Sequence, residues 1–122
     1  MKTILVADDS AISRELVREA LEEVGYRVIE AADGREALAM ALENTPDLAL
    51  LDVRMPVQDG YQTVRAIRED PRLAGLPVLA LTAFAMRGDE EKAASAGFDG
   101  YLTKPIGIAA LRVAVESRLK RT

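Results

Sequence analysis

The 122-residue sequence predicts an α/β fold, doubly wound, with five parallel strands between helical layers. Three observations predict it. Short aliphatic runs alternate with amphipathic segments along the whole chain, the pattern of repeated βα units. The central runs Leu48-Ala49-Leu50-Leu51 and Val78-Leu79-Ala80-Leu81 are apolar without alternation, as strands covered on both faces must be. No repeat, low-complexity tract or linker interrupts the order, so residues 1–122 are expected to form one domain. Such a length buries about two-thirds of its unfolded surface, enough for a core without staples. Right-handed crossovers then place helices on both faces of the sheet.

The elements follow in order. Thr3 to Ala7 is the first strand. Ile12, Leu16, Val17, Ala20, Leu21 and Val24 recur at helical spacing, with Ser10 as N-cap and Gly25 as a stop. Arg27 to Glu30 is the second strand. A helix over about Arg35 to Glu43 opens with Asp33-Gly34-Arg35-Glu36, the Asp-x-x-Glu form of a capping box, and stops before Pro46. Asp47 to Leu51 is the third strand, followed by a helix from Gly60 to Glu69 that Pro71 closes. Pro77 to Thr82 is the fourth strand. Asp89, Glu90 and Glu91 then suit the positive end of a fourth helix dipole, which ends at Gly97. Gly100 to Leu102 is the last strand, and Ile108, Leu111, Val115 and Leu119 stripe a fifth helix.

Composition narrows the chemistry. The chain has no Cys and no His, which removes disulfides, thiolate or imidazole metal sites and every triad that needs an imidazole base. What remains is oxygen and lysine chemistry. The longest apolar stretch, Leu76 to Met86, is broken by Pro77 and Thr82 and falls short of the ~20 residues that span a bilayer. Met1 to Ser10 lacks the architecture of a cleavable leader, so a cytoplasmic protein without membrane attachment is expected. The net charge of −4 argues against non-specific nucleic-acid binding. Arg112, Arg118, Lys120 and Arg121 nevertheless make the C-terminal helix basic, while Asp8, Asp9, Glu15, Glu19, Glu22 and Glu23 make the N-terminal part acidic.

In open α/β sheets, function gathers at the carboxyl ends of strands, beside the point where the strand order reverses. Those ends carry Asp8-Asp9 after the first strand, Asp52 after the third, Thr82 closing the fourth and Lys104-Pro105 after the fifth. With strand order 2-1-3-4-5, Asp52 has carboxylates on one flank and a hydroxyl on the other, each about 4.8 Å away, and Lys104 about 10 Å across the sheet. Each residue alone has an ordinary structural use, as a cap, a turn, a strand filler or a solvated lysine. Together they occupy the one edge where α/β proteins do chemistry. Three crowded carboxylates call for a hard cation, and Mg²⁺, which takes oxygen ligands and bridges carboxylates to phosphoryl oxygens, is the natural one. A carboxylate can attack phosphorus, while a lysine and a hydroxyl neutralise the transferring oxygens.

The chain resembles the receiver domain of two-component response regulators, the family that includes the single-domain chemotaxis regulator. The motifs that carry the likeness are Val6-Ala7-Asp8-Asp9-Ser10, Leu51-Asp52-Val53-Arg54-Met55-Pro56 with Asp59-Gly60, Leu81-Thr82-Ala83, and Gly100-Tyr101-Leu102-Thr103-Lys104-Pro105. They cover essentially the whole chain in order. The resemblance implies a flavodoxin-like (βα)5 sandwich, with Asp52 as phosphoacceptor and Mg²⁺ as cofactor. Asp9 would then be the direct ligand, Asp8 a ligand through water, and the Arg54 backbone carbonyl would complete the set. It also implies that Lys104 contacts the phosphoryl group, that Thr82 and Tyr101 form the switch, and that the Lys104–Pro105 peptide is cis. The fourth helix, fifth strand and fifth helix would form the face that meets a downstream protein.

Arg54, within the second motif, and Phe84, two residues after Thr82, are expected either to tune rates or to serve only as a solvent-facing arginine and a phenylalanine packed on the fourth helix. Arg54 is long enough to lean over the phosphoryl group. Phe84 is bulky and lies near the path of hydrolytic water. A chain without His cannot carry a phosphohistidine, so the donor would be a sensor histidine kinase, a histidine phosphotransfer protein or a small acyl phosphate. The protein would not be a turnover enzyme, although it would catalyse its own phosphorylation and dephosphorylation. A pseudo-receiver scaffold would lack the acceptor, an acid or the lysine, and all are present. A dehalogenase-type phosphatase needs a second Asp two residues after the nucleophile, where Arg54 stands. A flavin carrier would want aromatic stacking residues, and the chain has two Phe, three Tyr and no Trp.

Overall fold

The computed structural model describes residues 1–83 and 88–119. Five strands and five helices alternate in it: β1 (Thr3–Ala7), α1 (Ala11–Glu22), β2 (Arg27–Ala31), α2 (Gly34–Asn44), β3 (Leu48–Asp52), α3 (Gly60–Glu69), β4 (Val78–Thr82), α4 (Asp89–Ala96), β5 (Gly100–Thr103) and α5 (Ile108–Leu119). The strands are parallel in the order β2-β1-β3-β4-β5, as the sequence predicts.

Strand alternation sorts the core into two layers. Leu5, Ala7, Ala49 and Leu51 face one side, with Ala37 and Ala41 of α2, Val64 and Ile67 of α3, and Ala93 and Ala96 of α4. Ile4, Val6, Leu48 and Leu50 face the other, with Val17, Ala20 and Leu21 of α1 and Leu111 and Val115 of α5. Every residue of β3 is buried, which explains its uninterrupted apolar sequence.

Several boundaries move for identifiable reasons. Asp47 is not part of β3; its carboxylate accepts the Thr3 N–H at 2.7 Å and caps the strand edge. Asp52 is the last residue of β3 rather than the one after it. The Asp33–Glu36 capping box forms only in its forward half, with the Glu36 N–H bonded to Asp33 at 2.8 Å while the Glu36 carboxylate reaches back to the Ala32 N–H. A complete box stands instead at α3, where Asp59 and Gln62 exchange bonds of 2.8 and 2.9 Å.

The α1 stripe is narrower than its apolar residues suggest. Val17, Ala20 and Leu21 are buried, whereas Ile12 is 80% exposed and Leu16 and Val24 are exposed too. At about 100° per residue, Ile12 lies roughly 130° around the helix from the centre of the buried arc. In α5, Leu111 and Val115 are buried and Ile108 is exposed.

Candidate functional site

The site is built where β1, β3, β4 and β5 end. Ala7 pairs with Leu51, so one step further Asp8 stands beside Asp52, on the same face by strand parity. Both are buried, Asp8 at 0% and Asp52 at 6% exposure, while Asp9 points outward. Carboxylate oxygens of Asp8, Asp9 and Asp52 all lie within 4.8 Å of one another.

Lys104 enters from β5. Its N–H donates to the Thr82 carbonyl at 2.7 Å, continuing the β4–β5 ladder by one residue. The following peptide to Pro105 is cis. The Lys104 ammonium donates to Asp8 Oδ2 at 2.7 Å and to Asp52 Oδ2 at 2.8 Å. The side chain therefore covers the whole width of β4. The opposite oxygens are held by backbone: Asp8 Oδ1 accepts the Ser10 N–H and Asp52 Oδ1 accepts the Arg54 N–H, each at 2.9 Å.

Electrostatics at the pair follow from burial and partners. Loss of solvent raises the Asp52 carboxyl above its ordinary value, and the Asp8 charge adds to this, against the hydrogen bonds from Lys104 and Arg54. Burial alone would lower Lys104, but the bonds to Asp52 and Asp8 outweigh it and hold the ammonium above its usual range. One ammonium thus bonds two of the three clustered carboxylates.

Local sequence explains why the chain can come this close. A Cβ on Gly60 would meet the Asp52 carbonyl at 2.5 Å, so only glycine lets α3 begin against the end of β3. Gly34 plays the same part for α2, with the Gln58 carbonyl 2.1 Å from where its Cβ would stand.

A cleft of about 610 Å³ opens beside Asp9, lined also by Arg54, Thr82, Tyr61, Asp89 and Lys92 among others. Thr82 is half-buried on its wall and Arg54 is exposed at its rim. Tyr61 is held edge-on to buried Phe98, ring centroids 6.1 Å apart, and the Lys92 ammonium sits 4.6 Å above the Tyr61 ring. Tyr101, half-buried on β5 in register with Ala80, packs against the α2–α3–α4 layer and borders a separate cavity with Glu90, Phe98 and Arg118. Tyr101 and Thr82 thus stand on adjacent strands, two register steps apart. Phe84 lies outside the described residues, as do Lys120 and Arg121 of the basic C-terminus. Sequence gives no site signal for Tyr61 or Lys92 and marks Asp89 only as a helix-dipole acid. Only the helical phase of α3 and α4, once docked, aims them at the cleft.

A family model described as the response regulator receiver domain matches residues 4–116. The chain belongs to that family. This receiver is 36% identical over 118 residues to the polar-differentiation response regulator DivK of Brucella anthropi, covering 97% of this chain and 96% of that protein. It is 35% identical to the Vibrio cholerae chemotaxis protein CheY4, with a TM-score of 0.92 over 98% of this chain and 99% of that one. It is also 35% identical to the receiver domain of a Pseudomonas aeruginosa sensor histidine kinase, with a TM-score of 0.91 and 98% of each chain covered. That structure holds a magnesium ion in its active-site cleft. The receiver is a signalling protein of two-component systems, whose general function is phosphorylation-dependent switching. Among the described residues no helix is long and apolar enough to cross a membrane.

Proposed function

We propose that Asp52 accepts a phosphoryl group from the phosphohistidine of a sensor histidine kinase or histidine phosphotransfer protein, and that Mg²⁺ at Asp8, Asp9 and Asp52 is required. The observation that carries this reading is the Lys104 ammonium lying between the Asp8 and Asp52 carboxylates, beside a third carboxylate. The donor set fits the ion: all are hard oxygens, and the cluster has more negative charge than Lys104 can balance. Asp9, Asp52 and the Arg54 carbonyl would ligate it directly, with Asp8 acting through water. When bound, Mg²⁺ supplies charge neutralisation at the transferring phosphoryl oxygens.

The chain's own groups do the rest. An Asp52 carboxylate oxygen attacks phosphorus, the P–N bond to the donor imidazole breaks, and its electron pair leaves with that nitrogen. Lys104, already within hydrogen-bond reach of Asp52, turns its ammonium to the new phosphoryl oxygens. The Thr82 hydroxyl on the cleft wall moves to the same group, and Tyr101 turns into the space released. That change would reshape the α4–β5–α5 face for a downstream protein. The protein would act in the cytoplasm, through proteins rather than nucleic acid, and would turn over nothing except its own phosphoryl group.

Incubation with acetyl phosphate and Mg²⁺, followed by intact-mass measurement, tests this. One added phosphoryl group is expected in the unsubstituted protein and none in Asp52→Asn. No gain, or an undiminished gain in Asp52→Asn, would refute the reading. Arg54 and Phe84 are proposed to set the lifetime of the phosphoryl group. Phe84→Glu should lose it faster, and an unchanged dephosphorylation rate would remove Phe84 from this role.

A further inference from the structure

We propose that Arg14 is a positioning residue for the metal-binding carboxylates, fixing the Asp8–Asp9 turn from the sheet through Glu30. The proposal rests on the reading of Asp8, Asp9 and Asp52 as a Mg²⁺ site. Asp9 is exposed, so its aim depends on the backbone of its turn. Three bonds hold that turn. The Asp8 N–H donates to the Ala31 carbonyl at 3.1 Å, the Ser10 N–H donates to Asp8 Oδ1 at 2.9 Å, and Arg14 Nη1 donates to the Asp8 carbonyl at 2.6 Å. Only the third grips the peptide that joins Asp8 to Asp9. A peptide is planar, so fixing its carbonyl fixes the rotation that carries Asp9.

The same guanidinium is itself anchored. Its Nε donates to Glu30 Oε1 at 3.0 Å, and Arg18, one helical turn along α1, binds Glu30 Oε2. Glu30 belongs to β2 and pairs in register with Val6, two residues before Asp8. The anchor is therefore the sheet on which the carboxylates stand. The arrangement calls for arginine specifically. A planar fork can give one N–H to a carbonyl and another to a carboxylate, which a single ammonium at the end of a flexible stem does not reproduce.

Positioning and simple field effects have opposite signs here. A positive charge beside the site repels Mg²⁺, so Arg14→Gln should tighten binding if the charge is all that matters. If Arg14 positions the turn, its loss weakens binding. Titration calorimetry of Mg²⁺ separates the two, with each variant's Mg²⁺-free melting midpoint measured alongside. Removing groups that orient metal ligands commonly weakens affinity about 10- to 100-fold. About tenfold weaker binding is expected for Arg14→Gln, a comparable loss for Arg14→Lys despite the retained charge, and about threefold for Glu30→Gln. Unchanged or tighter binding in both Arg14 variants overturns the proposal, even if their midpoints fall. Should the Arg14 variants not fold, unchanged affinity in Glu30→Gln overturns it instead. Failure of the unsubstituted protein to bind Mg²⁺ overturns the metal reading and the proposal together. Normal binding there with unaltered variants overturns the proposal alone.

Discussion

Two long cationic side chains organise opposite parts of this molecule, and they are surrounded very differently. Arg68 on α3 donates to the carbonyls of Gly97, Ala74 and Leu76 and to the Asp99 carboxylate at 2.9 Å, and that carboxylate also accepts the Val78 N–H. One positive charge meets one negative charge, and neutral carbonyls take the remaining donors. Lys104 meets two buried carboxylates at 2.7 and 2.8 Å, with a third among those clustered within 4.8 Å. The Arg68 cluster is closed and ties α3 to the segments leading into β4 and β5. The Lys104 cluster has surplus negative charge, which the proposed cation would offset. Charge balance, rather than the presence of ion pairs, separates the structural cluster from the one proposed to react.

The largest expected effect separates them by rate. Lys104→Met should slow phosphoryl incorporation from acetyl phosphate by about 10²-fold, the usual scale for losing a donor to developing charge. Arg68→Met should leave that rate unchanged. Equal loss in both variants would erase the distinction. Stability should rank them the other way in saturating Mg²⁺. Arg68→Met removes the bonds to three carbonyls and to the Asp99 carboxylate, which costs about 2 kcal/mol and lowers the melting midpoint by roughly 8 °C.

Metal linkage comes next. Mg²⁺ at ten times its Kd should stabilise the protein by about 1.4 kcal/mol, or roughly 5 °C. The shift should survive in Arg68→Met and vanish in Asp9→Asn. An equal shift in Asp9→Asn would place the ion elsewhere.

The smallest effects are those of pH. The Lys104 ammonium is held above its ordinary 10.5, so its contribution is fully present below that value and is lost as pH rises through the folded value. The Asp52 carboxyl is raised above 3.8 by burial, so its favourable share is fully present below that value and is lost as pH rises through the higher folded value. Asp52→Asn should therefore melt slightly higher than the unsubstituted protein in EDTA at neutral pH. A clearly lower midpoint would mean that the ionised carboxylate stabilises the metal-free fold.

Sheet topology was legible because β3 and β4 are uninterrupted and the intervening segments are periodic. The gathering of Asp8, Asp9, Asp52, Thr82 and Lys104 at one sheet edge was legible because all fall where strands end. What sequence could not supply is contact between residues remote along the chain. Lys104 reaches Asp8 across 96 positions, and strand spacing alone left it about 10 Å from Asp52. Nothing local in the sequence sets Arg14 apart, and only the fold brings its fork to the Asp8 carbonyl. The exposed Val57, β-branched at φ 69°, takes a left-handed conformation that its residue type disfavours. Ile12 shows the converse limit, since apolar character marked it for the core and the docking angle of α1 left it in solvent.

The most direct test of the central claim is chemical trapping. Acetyl phosphate-treated protein reduced with borohydride converts an aspartyl phosphate to homoserine, and peptide mass analysis then locates it. Homoserine at position 52 alone, dependent on Mg²⁺, is the predicted result. Homoserine elsewhere with position 52 unmodified, or none despite a folded protein and excess donor, would contradict the account.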